Sequence, residues 1–263
     1  MDPSNDSALF AGRTVLVTGG ASGIGQATAH AFANRGARVG IIDTADTGDI
    51  DEEVSRLKAH GIDAAGTRAD IANAQQVAHA IALLSEALGP IDTLVNNAGI
   101  WEPNPVPESP LQLFDQHIDV NVKGTFHVTQ ACLPAMLERG RGVIVNVSSV
   151  SGIAGRAGDS AYSTSKAAVG MLTRTLAAEL GPKGIRINCI APGAVATPLT
   201  AGLRTPEGES AIAALMATHP SPNGRFFIDP EDMADIILFL CSDASKAIHG
   251  AVIPADEGLT AVM

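Results

Sequence analysis

The chain has 263 residues, 46% of them hydrophobic and 17% charged, which suits one large α/β domain with a well-buried core. Its 17 Lys and Arg against 28 Asp and Glu leave a net charge of −11, which argues against nucleic acid and anionic membrane surfaces as partners. No apolar run reaches membrane-spanning length. The polar, acidic Met1–Ser7 is no signal peptide, so residues 1–9 are expected to be a disordered extension before a single domain over 10–263. Cys132, Cys189 and Cys241 are odd in number and far apart, as befits buried thiols in a reducing cytoplasm. The seven histidines show no metal-binding spacing, so no protein metal site is expected.

In chain order, Arg13 to Thr18 is a β-branched run that meets Gly19-Gly20-Ala21-Ser22-Gly23-Ile24-Gly25 and an Ala-rich helical segment to Asn34. Gly36 stops that helix, and Ala37 to Ile42 is a second apolar run. Strand, glycine turn, helix and strand make a βαβ unit whose turn lets backbone approach a pyrophosphate at a helix N-terminus. Asp43 ends the second strand, where a carboxylate would accept from adenosine ribose hydroxyls and repel a 2′-phosphate. Neither Ser22 nor Thr44 is basic, so NAD is expected over NADP.

The alternation continues with a strand over Asp63–Ala69, a helix over Ala74–Leu88 stopped by Gly89-Pro90, and a strand over Ile91–Val95 leading into Asn96-Asn97-Ala98-Gly99. Trp101 to Pro107 reads as a surface loop. Ser109-Pro110-Leu111-Gln112 predicts a capped helix start, and Leu111, Phe114, Ile118 and Val122 predict its apolar face. Strands follow over Gly142–Val147 and Ile185–Ile190, the latter closing on Ala191-Pro192-Gly193. Asp229-Pro230 starts a further helix, and Ala251–Ile253 is a last strand whose following Pro254 suits an outer edge. Repeated strand–helix units imply a doubly wound parallel sheet of about seven strands, Rossmann-like, with helices on both faces.

Between Gly142–Val147 and Ile185–Ile190 lies Ser148 to Lys166, with Tyr162 and Lys166 four residues apart. If Asp159 or Ser160 caps a helix, both side chains share one face, which continues through Val169, Leu172, Leu176 and Leu180. An ammonium about 4 Å from the phenol would lower its pKa by up to roughly 3 units and make it an acid/base near neutrality. Ser149 ends its strand and presents a hydroxyl there. Tyr-x-x-x-Lys alone also fits an ordinary exposed helix pair.

Taken together, Thr18-Gly19-Gly20-Ala21-Ser22-Gly23-Ile24-Gly25, Asp70, Asn96-Asn97-Ala98-Gly99, Asn121, Ser149, Tyr162, Lys166 and Pro192-Gly193 with Thr197-Pro198 occur in the order of the short-chain dehydrogenase/reductase family, which the chain resembles from Phe10 to Ala261. The resemblance implies catalytic Asn121, Ser149, Tyr162 and Lys166. It implies cofactor contacts at Gly19, Ser22, Gly23, Ile24, Gly25, Asp43, Asp70, Ile71, Asn97, Ala98, Gly99, Tyr162, Lys166, Pro192, Gly193, Val195 and Thr197, and substrate contacts at Ser149, Ser151, Ile153 and Tyr162. In the implied mechanism Tyr162 is the acid/base, Lys166 lowers its pKa, Ser149 stabilises the reacting oxygen and Asn121 holds a relay water. Hydride then passes between a substrate carbon and nicotinamide. The family also implies a homotetramer, pairing the helices Pro110–Leu137 and Ala161–Leu180, with Ala167, Ala168 and Ala177 among the small residues available.

Two stretches depart from the family: the glycine-free Phe226 to Pro230, and Glu257, where a glycine is usual, which speaks against a positive-φ turn. Residues 197–229 break the strand–helix rhythm and are expected to form a substrate lid, with Leu199, Leu203, Ile212, Leu215 and Met216 inward. Trp101 and Ile153 extend that apolar setting, which implies a small-molecule substrate that is neutral and cyclic or aromatic. An acyl-carrier-protein ketoreductase and a non-catalytic dinucleotide sensor are the alternatives. Asp43 and the net charge weigh against the first, and the intact tetrad against the second.

Overall fold

The computed structural model describes residues 8–205, 208, 212, 221–222 and 224–262. Seven parallel strands, β1 (Thr14–Thr18), β2 (Arg38–Asp43), β3 (Ala64–Arg68), β4 (Thr93–Asn96), β5 (Gly142–Val147), β6 (Ile185–Pro192) and β7 (Val252–Ala255), form one sheet in the order 3-2-1-4-5-6-7. The register is continuous from Thr18 opposite Ile42 to Val147 opposite Ile190. Alternate strand residues face opposite layers. Val15 and Val17 join Phe32, Leu57 and Ile237 beneath α1 (Gly23–Ala33), α2 (Thr47–Lys58) and α7 (Pro230–Cys241). Leu16 joins Val77, Val128 and Leu176 beneath α3 (Ala74–Leu88), α5 (Thr125–Arg139) and α6 (Ser160–Leu180). The doubly wound expectation is met, and the three cysteines are buried free thiols.

Several local expectations need correction. Residues 1–7 lie outside the described residues, and a turn at Ala8–Ala11 carries Phe10 fully into the core, against Phe32. Helix α2 has no counterpart in the sequence reading. Its acid-rich segment hides an apolar stripe of Ile50, Val54 and Leu57 at helical spacing. The proline-rich loop contains a short 3₁₀ turn, Val106–Glu108.

Ser109 does not cap the next helix, α4 (Leu111–His117), which starts after an extended Pro110 without a side-chain cap. Its apolar face is also displaced. Leu111 is 69% exposed, while Leu113, His117, Asn121 and Gly124 turn inward. A π-helical turn, Ile118–Gly124, joins α4 to α5, and its extra width re-phases the helix so that Asn121 points into the protein. Gly124 is required there, because a Cβ would stand 2.6 Å from the Ile71 side chain.

Candidate active site

The strand order reverses direction between β1 and β4, and their C-terminal ends open a crevice there. Asn97 ties the two ends together. Its amide donates to the carbonyls of Thr18 (3.0 Å) and Gly19 (3.2 Å), while the Thr18 hydroxyl accepts from the N–H groups of Asn97 and Ala98. Beneath the crevice a buried amide chain spans the sheet. Asn96 donates to Thr129 and to Asn146, and Asn146 donates to Thr173, all at 2.9 Å.

A cavity of about 360 Å³ follows the crevice and is lined by Gly19, Ser22, Gly23, Ile24, Asp43, Asp70, Ile71, Asn97, Ala98, Gly99 and Thr197. The glycine turn is backbone-tight. A Cβ on Gly25 would meet the Gly19 carbonyl at 2.0 Å, and one on Gly19, which has φ +65°, would meet Ala98 backbone at 3.0 Å. Gly25 therefore shapes the cradle from beneath without lining it. Ser22 precedes α1 and makes no side-chain cap, and no acid stands in the first turn, so the helix N–H groups and dipole face the cavity. These features fit a dinucleotide pyrophosphate. Asp43 accepts from Ala21 N (3.0 Å) through one oxygen and from Thr44 N and Ala45 N through the other, so it braces the turn as well as lining the cavity. Asp70 lines the far end.

The cavity continues into a smaller chamber lined by Ser149, Tyr162, Lys166, Pro192, Gly193, Val195 and Thr197. Strand β5 delivers Ser149 and α6 delivers Tyr162 and Lys166, all buried. Lys166 Nζ donates to the Val147 carbonyl at 3.0 Å and lies 5.8 Å from the Tyr162 ring centroid. Burial pushes the Tyr162 phenol up to about 12. The Ser149 hydroxyl opposes this, and the Asp159 charge adds to it. Burial pushes the Lys166 ammonium down to about 8. In the protein alone burial governs the phenol, and the expected acidification by the lysine does not appear.

Asn121 enters from the π turn. Its amide donates to Ile100 O (3.0 Å) and the Ser165 hydroxyl (2.9 Å), its oxygen accepts from Ile100 N, and its carbonyl accepts from the Thr125 hydroxyl. Gly99 lies between Asn121 and Lys166: a Cβ there would stand 2.9 Å from Asn121 Oδ1 and 3.2 Å from Lys166 Nζ.

A third, mainly apolar chamber of about 200 Å³ opens beside Ser149 and Tyr162. Trp101, Val150, Ala154, Leu199, Leu203, Phe226 and Leu259 wall it, together with Ser151, Arg156 and Asp159. Asp159 precedes α6 but does not cap it with its side chain. It accepts from Trp101 Nε1 at 2.9 Å, with Arg156 Nε at 3.8 Å. His117 is fully buried. Its Nδ1–H donates to the Leu113 carbonyl at 2.7 Å and its Nε2 accepts from Glu102 N, which holds the Trp101 loop against Tyr162. Ile153 does not line the chamber. It is 49% exposed at the end of the 3₁₀ turn Val150–Gly152. Of the expected lid residues, Leu199 and Leu203 line the chamber, while Leu215 and Met216 lie outside the described residues.

Residues 19–260 match the family described as enoyl-(acyl carrier protein) reductase. The chain is 41% identical over 255 residues to the cis-4-hydroxycyclohexanecarboxylate dehydrogenase of Sinomonas cyclohexanicum, covering 96% of this chain and 98% of that one. This chain belongs to the short-chain dehydrogenase/reductase family. Another member, the 3-oxoacyl-[acyl-carrier-protein] reductase FabG of Thermotoga maritima, is 39% identical over 94% of this chain and 98% of its own. Among solved structures, levodione reductase superposes with a TM-score of 0.90 at 33% identity, covering 97% of this chain and all of that one.

Sequence reasoning missed several residues that this short-chain dehydrogenase/reductase brings to the site. Thr200 lines the second chamber from the 3₁₀ segment Pro198–Arg204, and Val120 enters from the π turn. His117 carried no signal beyond helical phase, and that phase shifts at the π turn. Leu259 arrives from the C-terminal 3₁₀ turn, far away in sequence.

Proposed function

We propose that this oxidoreductase transfers hydride between NAD(H) and a neutral, partly apolar cyclic secondary alcohol or its ketone. The carrying observation is the apolar chamber that opens on Ser149 and Tyr162. At about 200 Å³ it is smaller than the ~300–1,000 Å³ of drug-sized ligand sites, which favours a compact substrate. Among the described residues the cation on its wall is Arg156, whose charge is countered by the buried Asp159 carboxylate at 3.8 Å. Two relatives named for cyclic substrates, the hydroxycyclohexanecarboxylate dehydrogenase and a dichlorocyclohexadienediol dehydrogenase of Sphingobium indicum, support the ring.

Tyr162 takes the proton from the alcohol and Ser149 holds the reacting oxygen. The bound cofactor supplies the hydride acceptor at its nicotinamide. A cationic nicotinamide bound there would offset the burial that holds Tyr162 protonated. Lys166 keeps a cation beside the tyrosine and Asn121 steadies the Ile100 loop. Asp43, acidic at the ribose end of the cavity, supports NAD over NADP. Buried free thiols support a cytoplasmic setting, and exposed apolar side chains on α5 and α6, Phe126 and Met171, support a homotetramer.

The test is a screen of cyclic and linear secondary alcohols, neutral and carboxylated, with NAD and NADP. Preferred turnover of neutral cyclic alcohols with NAD is expected. A preference for carboxylated substrates, or for a carrier-bound 3-oxoacyl group with NADPH, would replace this reading.

A further inference from the structure

Asp159 is 2% exposed and lines the apolar chamber beside Ser149 and Tyr162. A carboxylate placed there has lost its hydration and must regain it through hydrogen bonds. One oxygen does so, accepting from Trp101 Nε1 at 2.9 Å. The other has the Arg156 guanidinium near it, with Nε at 3.8 Å, beyond hydrogen-bond range. The side chain is not spent on α6 either, although Asp159 holds the N-cap position. Ser163 N bonds the Asp159 carbonyl instead. Oδ2 thus keeps acceptor capacity at the wall of a mostly apolar chamber.

Bracing Trp101 does not require a charge, because a neutral amide oxygen accepts from an indole N–H equally well. The charge also has a cost, since it opposes ionisation of Tyr162. Beyond countering the Arg156 charge at 3.8 Å, a carboxylate in that position places an acceptor-only group at the chamber wall.

Resting on the cyclic-alcohol reading above, we infer that Asp159 accepts a hydrogen bond from a second hydroxyl on the substrate, which makes the substrate class a cyclic diol or hydroxyketone. An ionised carboxylate accepts and never donates. The distal substrate group must therefore carry a proton. An ether or carbonyl oxygen in that place faces Oδ2 lone pair to lone pair, and a site built to bond a hydroxyl rejects analogues that lack it. The same bond spreads the Asp159 charge onto the substrate and away from Tyr162.

The full-length enzyme is assayed with NAD on cyclohexanol, the cyclohexane-1,3- and 1,4-diols, and the corresponding methoxycyclohexanols. At least one diol is expected to exceed its methyl ether in kcat/KM by about 10-fold or more. Asp159→Asn keeps an acceptor for Trp101 and turns the free position into an N–H donor. In that variant the diol-to-ether ratio is expected to fall to within about 3-fold, whatever the absolute rate. Equal kcat/KM for each diol and its ether in the parent enzyme overturns the inference, as does an unchanged ratio in the variant. The parent ratio decides alone if the variant does not fold. Turnover of cyclohexanol without diol selectivity overturns this inference only. Absence of turnover for every cyclic alcohol in the set overturns the cyclic-alcohol reading, and this inference with it.

Discussion

Lys166 Nζ donates to the carbonyl of Val147 at 3.0 Å, so the end of β5 rather than the Tyr162 phenol holds the ammonium in place. Burial lowers its pKa from the ordinary 10.5 to about 8. Between those two values the unfolded chain holds a proton that the folded chain has released, so stability rises with pH across that window. Below about pH 8 both states are protonated and the full burial penalty is present. A shift of that size corresponds to about 3 kcal/mol at the upper end. Cofactor-free protein should therefore gain stability relative to Lys166→Met between pH 7.5 and 10, measured by urea unfolding. A flat or falling difference contradicts the assigned shift.

Tyr162→Phe removes the only hydroxyl assigned to proton transfer and leaves the ring between Trp101 and His117. Turnover should fall by about 10²-fold or more, while NADH affinity stays within a few-fold. Stopped-flow hydride transfer with NADH fluorescence titration checks both. A rate within a few-fold of the parent contradicts the role.

Asp43 accepts from Ala21 N at the glycine turn, and on the proposed NAD preference it also repels a 2′-phosphate. Asp43→Ala should narrow the gap between NAD and NADP mainly by lowering kcat/KM for NAD, by roughly 10-fold for the loss of charge-assisted bonds. Steady-state kinetics with both cofactors test this. Equal efficiency in the unaltered enzyme contradicts the NAD assignment.

Glu257 adopts φ +52°, the one positive value at a non-glycine among the described residues, and precedes Gly258 at +88°. A glutamate at this position speaks against such a turn, and the structure forms the turn regardless. Contacts to Ser221 and, at 3.8 Å, to Arg225 accompany it. Glu257→Gly and Glu257→Ala lose these contacts alike, but only alanine keeps a Cβ in the left-handed region. The glycine variant should be the more stable by about 1 kcal/mol. Paired urea unfolding curves measure the difference, and equal midpoints contradict the strain.

Phe126 and Met171 are 43% and 58% exposed on α5 and α6, and Ala167 is exposed beside them. Ala177 is not available for pairing because it is buried within the subunit, and its carbonyl lies 2.9 Å from His249 Nε2. Sedimentation at micromolar concentration should show a tetramer, and Met171→Glu should shift it toward smaller species. A monomer in the parent protein contradicts the assembly.

What sequence reveals here follows from range. Glycine turns, strand ends and the Tyr162–Lys166 spacing are local, so the cofactor cradle and α6 could be read from adjacent residues. Helix α2 escaped because its burial pattern is thin and its surface acidic. The face of α4 was misread because helical phase assumes 3.6 residues per turn throughout, and the π turn breaks that assumption. Position alone offers Asp159 or Ser160 as the cap of α6. The Trp101 indole that claims the Asp159 carboxylate is 58 residues away, and no local pattern links the two.

The π turn makes chain length, more than side-chain chemistry, the tightly held variable between Ile118 and Gly124. Deleting a single residue would let the turn relax to ordinary α geometry, with Val128, Cys132 and Met136 still on the face that continues Leu113 and His117. The loss would fall on Asn121, whose side chain would leave the Ile100 loop. The site therefore depends on one added amino acid that the packing of α5 could do without.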